Sequence, residues 1–183
     1  MTTAGPVALA FAPNGNLWIA NYGAAGNGSD GNVQIVKPSG VVVATFADPK
    51  VIGGWGQAYN GGFGGKSAFF TVNITTGTVA RINIVPPAVA GGPPTFTFDQ
   101  ITSNLGFTPT SPGGTPVGPL GLVHTADDML YIAEGATNSI IAIPNSTTAT
   151  SQSAGTVVYK DGALNQPAGM TLNPLNGDLI IAN

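Results

Sequence analysis

The stretch that decides the fold is Pro6–Asn21, which reads PVALAFAPNGNLWIAN, because the chain repeats it twice more. The second copy, PLGLVHTADDMLYIAE at Pro119–Glu134, aligns with it without a gap, and the third, PAGMTLNPLNGDLIIAN at Pro167–Asn183, has one extra residue in its turn. Each copy is an apolar run, a polar turn and a second apolar run with a polar end. The Asn14-Gly15 pair suits a two-residue type I′ turn, so the phrase predicts a repeated β-hairpin.

The spacing of this hairpin indicates the architecture. The second run of each hairpin ends at a polar residue, and the diverged segment between the first two copies has a matching end at Asn73. These ends follow one another at intervals of about 50 residues, with room for four short strands each, which is the period of β-propeller blades. Gly and Pro interrupt every longer stretch, and no helical periodicity is sustained. The sequence therefore predicts an all-β fold, a β-propeller of four-stranded antiparallel blades.

The predicted blades cover about residues 6–47, 53–102 and 117–161, and a half blade covers about 166–183. All belong to one partial propeller domain over residues 1–183. Because about 3.5 blades do not close a ring, we expect the chain to be part of a six- or seven-bladed propeller. A longer chain would supply the missing blades, and a homodimer of two halves is the alternative. An open arc would expose strand edges and one apolar blade face.

The composition excludes several functions. Only 7% of the residues are charged, the net charge is −3, and five Lys and Arg residues form no basic stripe, so we expect no nucleic-acid partner. No apolar run is long enough to insert into a membrane. The chain has no cysteine, which excludes disulfides and thiolate metal sites. The Ser, Thr, Asn and Gly bias favours an extracytoplasmic location, although no signal peptide is visible and the true N-terminus would then lie upstream.

Few residues have the character of catalytic groups. His124 is the single histidine, and it takes the repeat position of Phe11 and Leu172, which indicates a packing residue more than a general base or metal ligand. Asp127 and Asp128 fall in the adjacent hairpin turn, where such residues usually serve turn geometry. Without a second histidine, a zinc site or a Ser-His-Asp triad lacks material. We predict no catalytic residue, no metal site and no cofactor.

A ligand-binding face is the main site hypothesis. In a propeller, the loops after the second strands and the connections between blades share one face, which would collect the polar ends of the second strands: Asn21, Asn73, Glu134 and Asn183. These residues could bind a ligand there or cap turns, and the carboxylate of Glu134 makes a divalent ion a further possibility. Trp55 stands among glycines and could line the mouth of the central channel, whereas Trp18 shares a repeat position with core residues.

The hairpin ends also carry a family resemblance. Leu17–Asn21 (LWIAN), Leu130–Glu134 (LYIAE) and Leu179–Asn183 (LIIAN), with Asn138–Ile141 (NSII), resemble NHL-type propeller repeats. More narrowly, Gly54–Ala58 (GWGQA) and Thr76–Ile82 (TGTVARI) resemble segments of uncharacterised bacterial YncE-like propellers, which are often exported. The resemblance implies the fold across nearly the whole chain. It does not select a function, because propellers host many unrelated activities.

Three functions follow as hypotheses. The first is a non-enzymatic binding or interaction module, exported, that binds a protein, a glycan or a small ligand on the loop face. The second is a hydrolase or lyase of the lactonase or streptogramin-lyase type, with a divalent metal at the central axis. The third is a structural extracellular repeat protein. The scarcity of convergent acid and histidine residues favours the first.

Overall fold

A computed structural model of the chain describes residues 5–23, 29–89, 92–108, 117–150 and 155–183. Over these ranges it is all-β, with four antiparallel sheets and a short 3₁₀ turn at Phe63–Gly65. In each sheet the strands lie side by side in chain order. An isolated bridge joins Thr108 to Val117.

The sheets follow one another along the chain. Sheet one contains β1 (Pro6–Phe11), β2 (Leu17–Asn21), β3 (Asn32–Val36) and β4 (Val42–Phe46). Sheet two contains β5 (Gly54–Tyr59), β6 (Ser67–Asn73), β7 (Thr78–Val85) and β8 (Thr95–Thr102). Sheet three contains β9 (Pro119–His124), β10 (Leu130–Glu134), β11 (Ser139–Ile143) and β12 (Thr156–Tyr159). Sheet four contains β13 (Gly169–Leu172) and β14 (Leu179–Ala182).

The first strand of each sheet lies innermost. β1 contacts β5, β5 contacts β9, and β9 contacts β13, so the sheets are arranged as blades around one axis. The close approach depends on a small residue at one repeat position, which is occupied in turn by Ala8, Gly56, Gly121 and Gly169. A Cβ on Gly56 would lie 1.8 Å from the carbonyl oxygen of Leu120, and a Cβ on Gly121 would lie 2.5 Å from that of Ala168. Glycine therefore sets the spacing from β5 to β9 and from β9 to β13.

Aromatic side chains fill the space between sheets one and two. Trp18 is buried, as its repeat position predicted, and stacks on Phe69 with ring centroids 3.8 Å apart and planes inclined by 15°. Farther from the axis, Phe46 packs against Phe96 with ring centroids 4.7 Å apart. Aliphatic residues complete this core: Val33, Ile35, Val51, Ala80 and Ile82.

Two further cores lie between the following sheets. Sheets two and three bury a mainly aliphatic cluster that includes Phe70, Val72, Ile74, Leu120, Leu122, Leu130, Ile132, Ile141 and Ile143. Sheets three and four share a smaller one, in which Met170 and Ile181 pack against Ala133 and Ile140. Each interface joins residues far apart in the sequence. Burial of this apolar surface is the main force that holds the blades together.

The hairpin turns differ from the expected type. The amide of Gly15 donates to the carbonyl of Ala12, and the amide of Ala12 donates to Asn16, so a type I turn is followed by one left-handed residue. Only Gly15, at φ 78°, has positive φ in this turn, and the two-residue type I′ prediction was wrong. Pro13 favours the observed turn, because its ring holds φ near −65°, which is the value that the first central position of a type I turn needs.

One face of sheet one remains uncovered in the described part of the chain. Leu9 and Phe11 are 62% and 72% exposed, although they lie in the innermost strand of the sheet. The same repeat positions in sheet three, Leu122 and His124, are buried against sheet two. β1 therefore carries apolar residues on both sides, but another sheet covers one side only. We call the uncovered side, formed by Leu9, Phe11 and Ile19, the end face.

The inner glycines yield a matched pair of substitutions. Gly56→Ala places its Cβ on a backbone carbonyl and should cost about 1–3 kcal/mol of unfolding free energy, as overpacking does. Gly169→Ala occupies the same repeat position, but the nearest atom to its Cβ is the Cβ of Ala182 at 3.7 Å. It should change stability by less than about 0.5 kcal/mol. Urea denaturation of both variants measures the difference, and equal stabilities would contradict the close approach at the axis.

Candidate functional site

The inner strands of all four sheets line a cleft of about 320 Å³ at the axis. Its wall consists of Val7, Ala8, Trp55–Gln57, Leu120–Leu122 and Ala168–Met170. Trp55 packs edge-to-face against Tyr22, with ring centroids 5.5 Å apart. Burial raises the pKa of the Tyr22 hydroxyl above its ordinary value, so the phenol stays neutral at neutral pH. The wall carries no charged side chain, and its surface is more apolar than polar.

Gln57, the polar side chain in the wall, bridges two sheets. With its amide oriented to match the surrounding groups, Gln57 donates to the carbonyl of Trp18 and accepts from the amide of Ala20, both at 3.2 Å. These are backbone groups of β2 in sheet one, whereas Gln57 belongs to β5. The carboxamide of Gln57 thus acts as a peptide group between blades, a role that the sequence did not reveal.

Glu134 is fully buried at the end of β10 and caps a turn. Its carboxylate accepts hydrogen bonds from the amides of Ala136 at 3.1 Å and Thr137 at 2.7 Å, and from the Thr137 hydroxyl. A carboxylate that accepts several donors of its own loop is held in place by them. The hydrogen bonds of Glu134 match the second of the two roles considered for this residue, which is to cap a turn.

The three asparagines at equivalent strand ends bond to neighbouring segments. Asn73 Oδ1 accepts from the Thr75 hydroxyl at 2.7 Å, in the turn that follows its strand. Asn183 Nδ2 donates to the carbonyl of Ala163 at 3.1 Å, in the segment that precedes β13. Asn21 Nδ2 donates to Asn32 Oδ1 on β3 at 2.9 Å, while its Oδ1 is buried with no hydrogen-bond partner among the residues that the structure describes.

These positions restrict what a ligand on the loop face could touch. Asn21, Asn73 and Glu134 are at most 1% exposed. A ligand there would meet the turns that they hold and not their side chains. Asn183 is exposed, and Trp55 is partly buried in the axial cleft. Of the five residues in the predicted face, Trp55 lines the axial cleft.

His124 and Asp128 form a second polar cluster, on the side of the hairpin turns. His124 Nε2 lies 3.0 Å from Asp128 Oδ1, both side chains are nearly buried, and the imidazole stacks on Phe70 with centroids 5.5 Å apart. Asp128 also accepts from Ser146 Oγ at 3.0 Å and from Thr147 Oγ1 at 2.7 Å. His124 thus packs as its repeat position predicted, and Asp128 serves more than its own turn.

The pKa of Asp128 is lowered in the folded state. Burial by itself would raise the pKa, but the hydrogen bonds from His124, Thr147 and Ser146 together outweigh it. Because the folded pKa is depressed, the associated stability is present above the ordinary pKa of an aspartate. That stability is lost as the pH falls through the lower folded value.

A buried arginine joins sheets two and three beside this cluster. Arg81 Nη1 donates to the carbonyls of Ser146 at 2.8 Å and Ala149 at 3.0 Å, and Nη2 pairs with Asp99 at 2.8 Å. Hydrogen bonds from Asn83 and Arg81 hold the pKa of Asp99 below its usual value, although partial burial opposes this. The partners of Arg81 could not be predicted from the sequence, since a lone arginine in a strand has no spacing rule.

The geometry does not assemble a metal site in the part of the chain that is described. No three His, Asp or Glu side chains come together among residues 5–23, 29–89, 92–108, 117–150 and 155–183. The same ranges contain no helix with the length and apolarity to cross a bilayer.

Comparison with known proteins supports the fold. No protein-family profile and no curated protein sequence matches the chain. Among solved structures, virginiamycin B lyase from Staphylococcus aureus shares 18% identity at a TM-score of 0.58, over 97% of this chain and 48% of that one. The calcium-binding protein regucalcin from Agrobacterium tumefaciens shares 16% identity at a TM-score of 0.61, over 94% of this chain and 51% of that one.

A third similar structure, a protein from Lactobacillus plantarum, has a TM-score of 0.64 at 16% identity, over 100% of this chain and 49% of that one. The chain therefore spans about half the length of these structures. With its four-stranded antiparallel blades around one axis, the protein belongs to the propeller class, and the predicted fold class is confirmed. Identities this low carry the fold alone.

The turn-capping role of Glu134 can be measured. Glu134→Ala removes the acceptor for two amides and a hydroxyl and should lower the unfolding free energy by about 1–3 kcal/mol. Asn183→Ala is the control, because this strand end is exposed, and it should cost less than about 0.5 kcal/mol. Thermal and urea unfolding report both values. A Glu134→Ala protein as stable as the wild type would show that the carboxylate is not needed by the turn.

Proposed function

We propose that the chain is part of a propeller-type binding module and that its ligand binds at the axial cleft beside Trp55. The carrying observation is the cleft itself, which four inner strands line with apolar groups and one partly exposed tryptophan. Large aromatic residues in apolar concavities are the usual anchors of binding sites. The polar residues that could have served chemistry nearby hold turns and sheets together, as Glu134 and Gln57 illustrate.

The lining favours a ligand with an apolar group, such as a small apolar molecule or an apolar peptide side chain. A glycan needs many hydrogen-bonding groups, whereas Gln57 already uses both ends of its amide on sheet one. No charge in the wall attracts an ionic ligand. Within the range of ligands considered from the sequence, the cleft therefore supports an apolar one best.

Fluorescence tests this proposal, because the chain has two tryptophans and Trp18 is buried in the core. In a Trp18→Phe background, the uncharged probe N-phenyl-1-naphthylamine should quench Trp55 emission saturably. Trp55→Ala should weaken binding of the probe at least tenfold. Phe11→Ser on the end face is the matched control and should leave binding at the cleft unchanged.

Two results would contradict the proposed site. Probe binding that is insensitive to Trp55→Ala would place the apolar ligand elsewhere. Saturable binding of cellohexaose with no binding of the apolar probe would replace the ligand class by a glycan.

We also propose that further blades of a longer chain cover the end face. The support is that Leu9 and Phe11 are exposed, whereas the residues at the same repeat positions of sheet three, Leu122 and His124, are buried against sheet two. The match to about half of each similar structure points the same way. The 183-residue chain should therefore self-associate weakly and without fixed stoichiometry through this apolar face.

Light scattering on the chain distinguishes this arrangement from a homodimer. Leu9→Asn combined with Phe11→Asn should reduce concentration-dependent association and leave the melting temperature within a few degrees of the wild type. A stable dimer of defined mass that the double substitution dissociates would support the homodimer instead.

A propeller hydrolase or lyase is the second candidate function. The observation that favours it is the structural likeness to virginiamycin B lyase and to another protein, described as streptogramin B lyase, at TM-scores of 0.58 and 0.54. A divalent metal bound to the native state would raise the melting temperature by mass action. A thermal-shift series with Ca²⁺, Mg²⁺ and Zn²⁺ tests the idea.

Two further parts of the proposal rest on the sequence. The motifs support a relationship to NHL-type or YncE-like propellers, and the composition supports an extracytoplasmic location.

A further inference from the structure

We propose that Asp128 is a latch that holds the 144–150 loop across the junction of sheets two and three, and that protonation of its carboxylate releases this loop. The loop connects β11 to the outer part of sheet three. It contains two buried polar residues, Ser146 and Thr147. A surface connection with buried hydroxyls must have partners for them, and Asp128 is the shared partner.

The repeat shows that this cluster is a departure from the ordinary hairpin. Asp128 occupies the turn position that Gly15 fills in the first copy and Gly177 in the third, and all three have φ between 63° and 78°. A side chain in this left-handed region is unfavourable where glycine is free to adopt it. His124 likewise replaces Phe11 and Leu172. The two residues that depart from the repeat pattern, His124 and Asp128, are hydrogen-bonded to each other.

The contacts of Asp128 account for its unfavourable backbone. Its carbonyl oxygen accepts from the amide of Ser146 at 3.0 Å. Oδ1 accepts from Ser146 Oγ at 3.0 Å and from the amide of Thr147 at 3.1 Å, and Oδ2 accepts from Thr147 Oγ1 at 2.7 Å. Glycine at this position would keep the hairpin and lose the three bonds from the loop to the side chain, as well as the contact with His124. The carboxylate therefore serves the loop and not the turn.

The other side of the same loop is fastened to sheet two. Arg81 donates to the carbonyls of Ser146 and Ala149. The loop is thus held by a carboxylate of its own sheet and by a guanidinium of the neighbouring one. When the Asp128 side chain loses its bonds to Ser146 and Thr147, the loop keeps its bonds to Arg81 but has lost its second point of attachment.

The charged surroundings determine the direction of the pH response. His124 on β9 contacts the carboxylate, Arg81 on β7 reaches the loop backbone, and Asp127 is adjacent in the chain and bonds to the Thr125 hydroxyl. A protonated carboxyl is a weaker acceptor for His124, Ser146 and Thr147. Since the folded pKa of Asp128 lies below the ordinary value for an aspartate, the loop is held at neutral pH, and the carboxylate loses its hold as the pH falls below that ordinary value and through the folded pKa.

Hydrogen exchange read by mass spectrometry tests the latch. In the wild type, the protection factor of amides in the 144–150 loop should fall at least tenfold between pH 6 and pH 3, relative to amides of β6. Asp128→Gly restores the glycine of the other hairpins, so the geometry of the turn is retained. It should show the low loop protection already at pH 6, with little further change at pH 3. Asp127→Asn is the matched control and should follow the wild type.

Two outcomes would overturn the proposal. One is loop protection in Asp128→Gly equal to that of the wild type at pH 6. The other is a wild-type loop whose protection relative to β6 is the same at pH 3 and pH 6. The second measurement needs no variant, so it decides the matter even if Asp128→Gly fails to fold. The ring signals of His124, the single histidine, report in parallel whether the Asp128 contact is lost over the same pH range.

Discussion

The close approach of the inner strands is the constraint on which the rest of the structure depends. Sheets two, three and four meet at the axis where Gly56 and Gly121 leave no side chain between one inner strand and the next carbonyl, and Ala8 takes the same repeat position in sheet one. Once the inner strands are this close, the strands beside them face each other at a distance that side chains such as Trp18 and Phe69 can fill. The cores between the sheets therefore depend on a small residue at this repeat position.

Polar residues in this protein chiefly connect parts of the fold. Gln57 links sheets one and two, Arg81 links sheets two and three, and Glu134 closes a turn. A buried polar group without a partner destabilises a fold, so these specific links contribute to its stability. The consequence for function is that the axial cleft keeps an apolar wall in which Trp55 is the prominent group.

The fold could be predicted from the sequence because it depends on a repeated local pattern. Alternating apolar residues and turn residues define hairpins such as Pro6–Asn21, and their spacing defines blades. The tertiary partners could not be predicted in this way. Nothing near Arg81 in the chain points to Ser146, 65 residues later, and the type I turn at Pro13 was overlooked beside the Asn-Gly pair. His124 and Asp128 did carry a signal, since both depart from the repeat, but their contact required the folded hairpin.

The arrangement of sheets around a common axis is tested most directly by nuclear Overhauser contacts in solution. The account predicts contacts between the rings of Trp18 and Phe69, between Phe70 and His124, and between the α-protons of Gly121 and the amide of Met170. Each pair joins one sheet to the next. Absence of these contacts, with strong ones between the outer strands β4 and β12 in their place, would show two layers packed face to face and not blades around one axis.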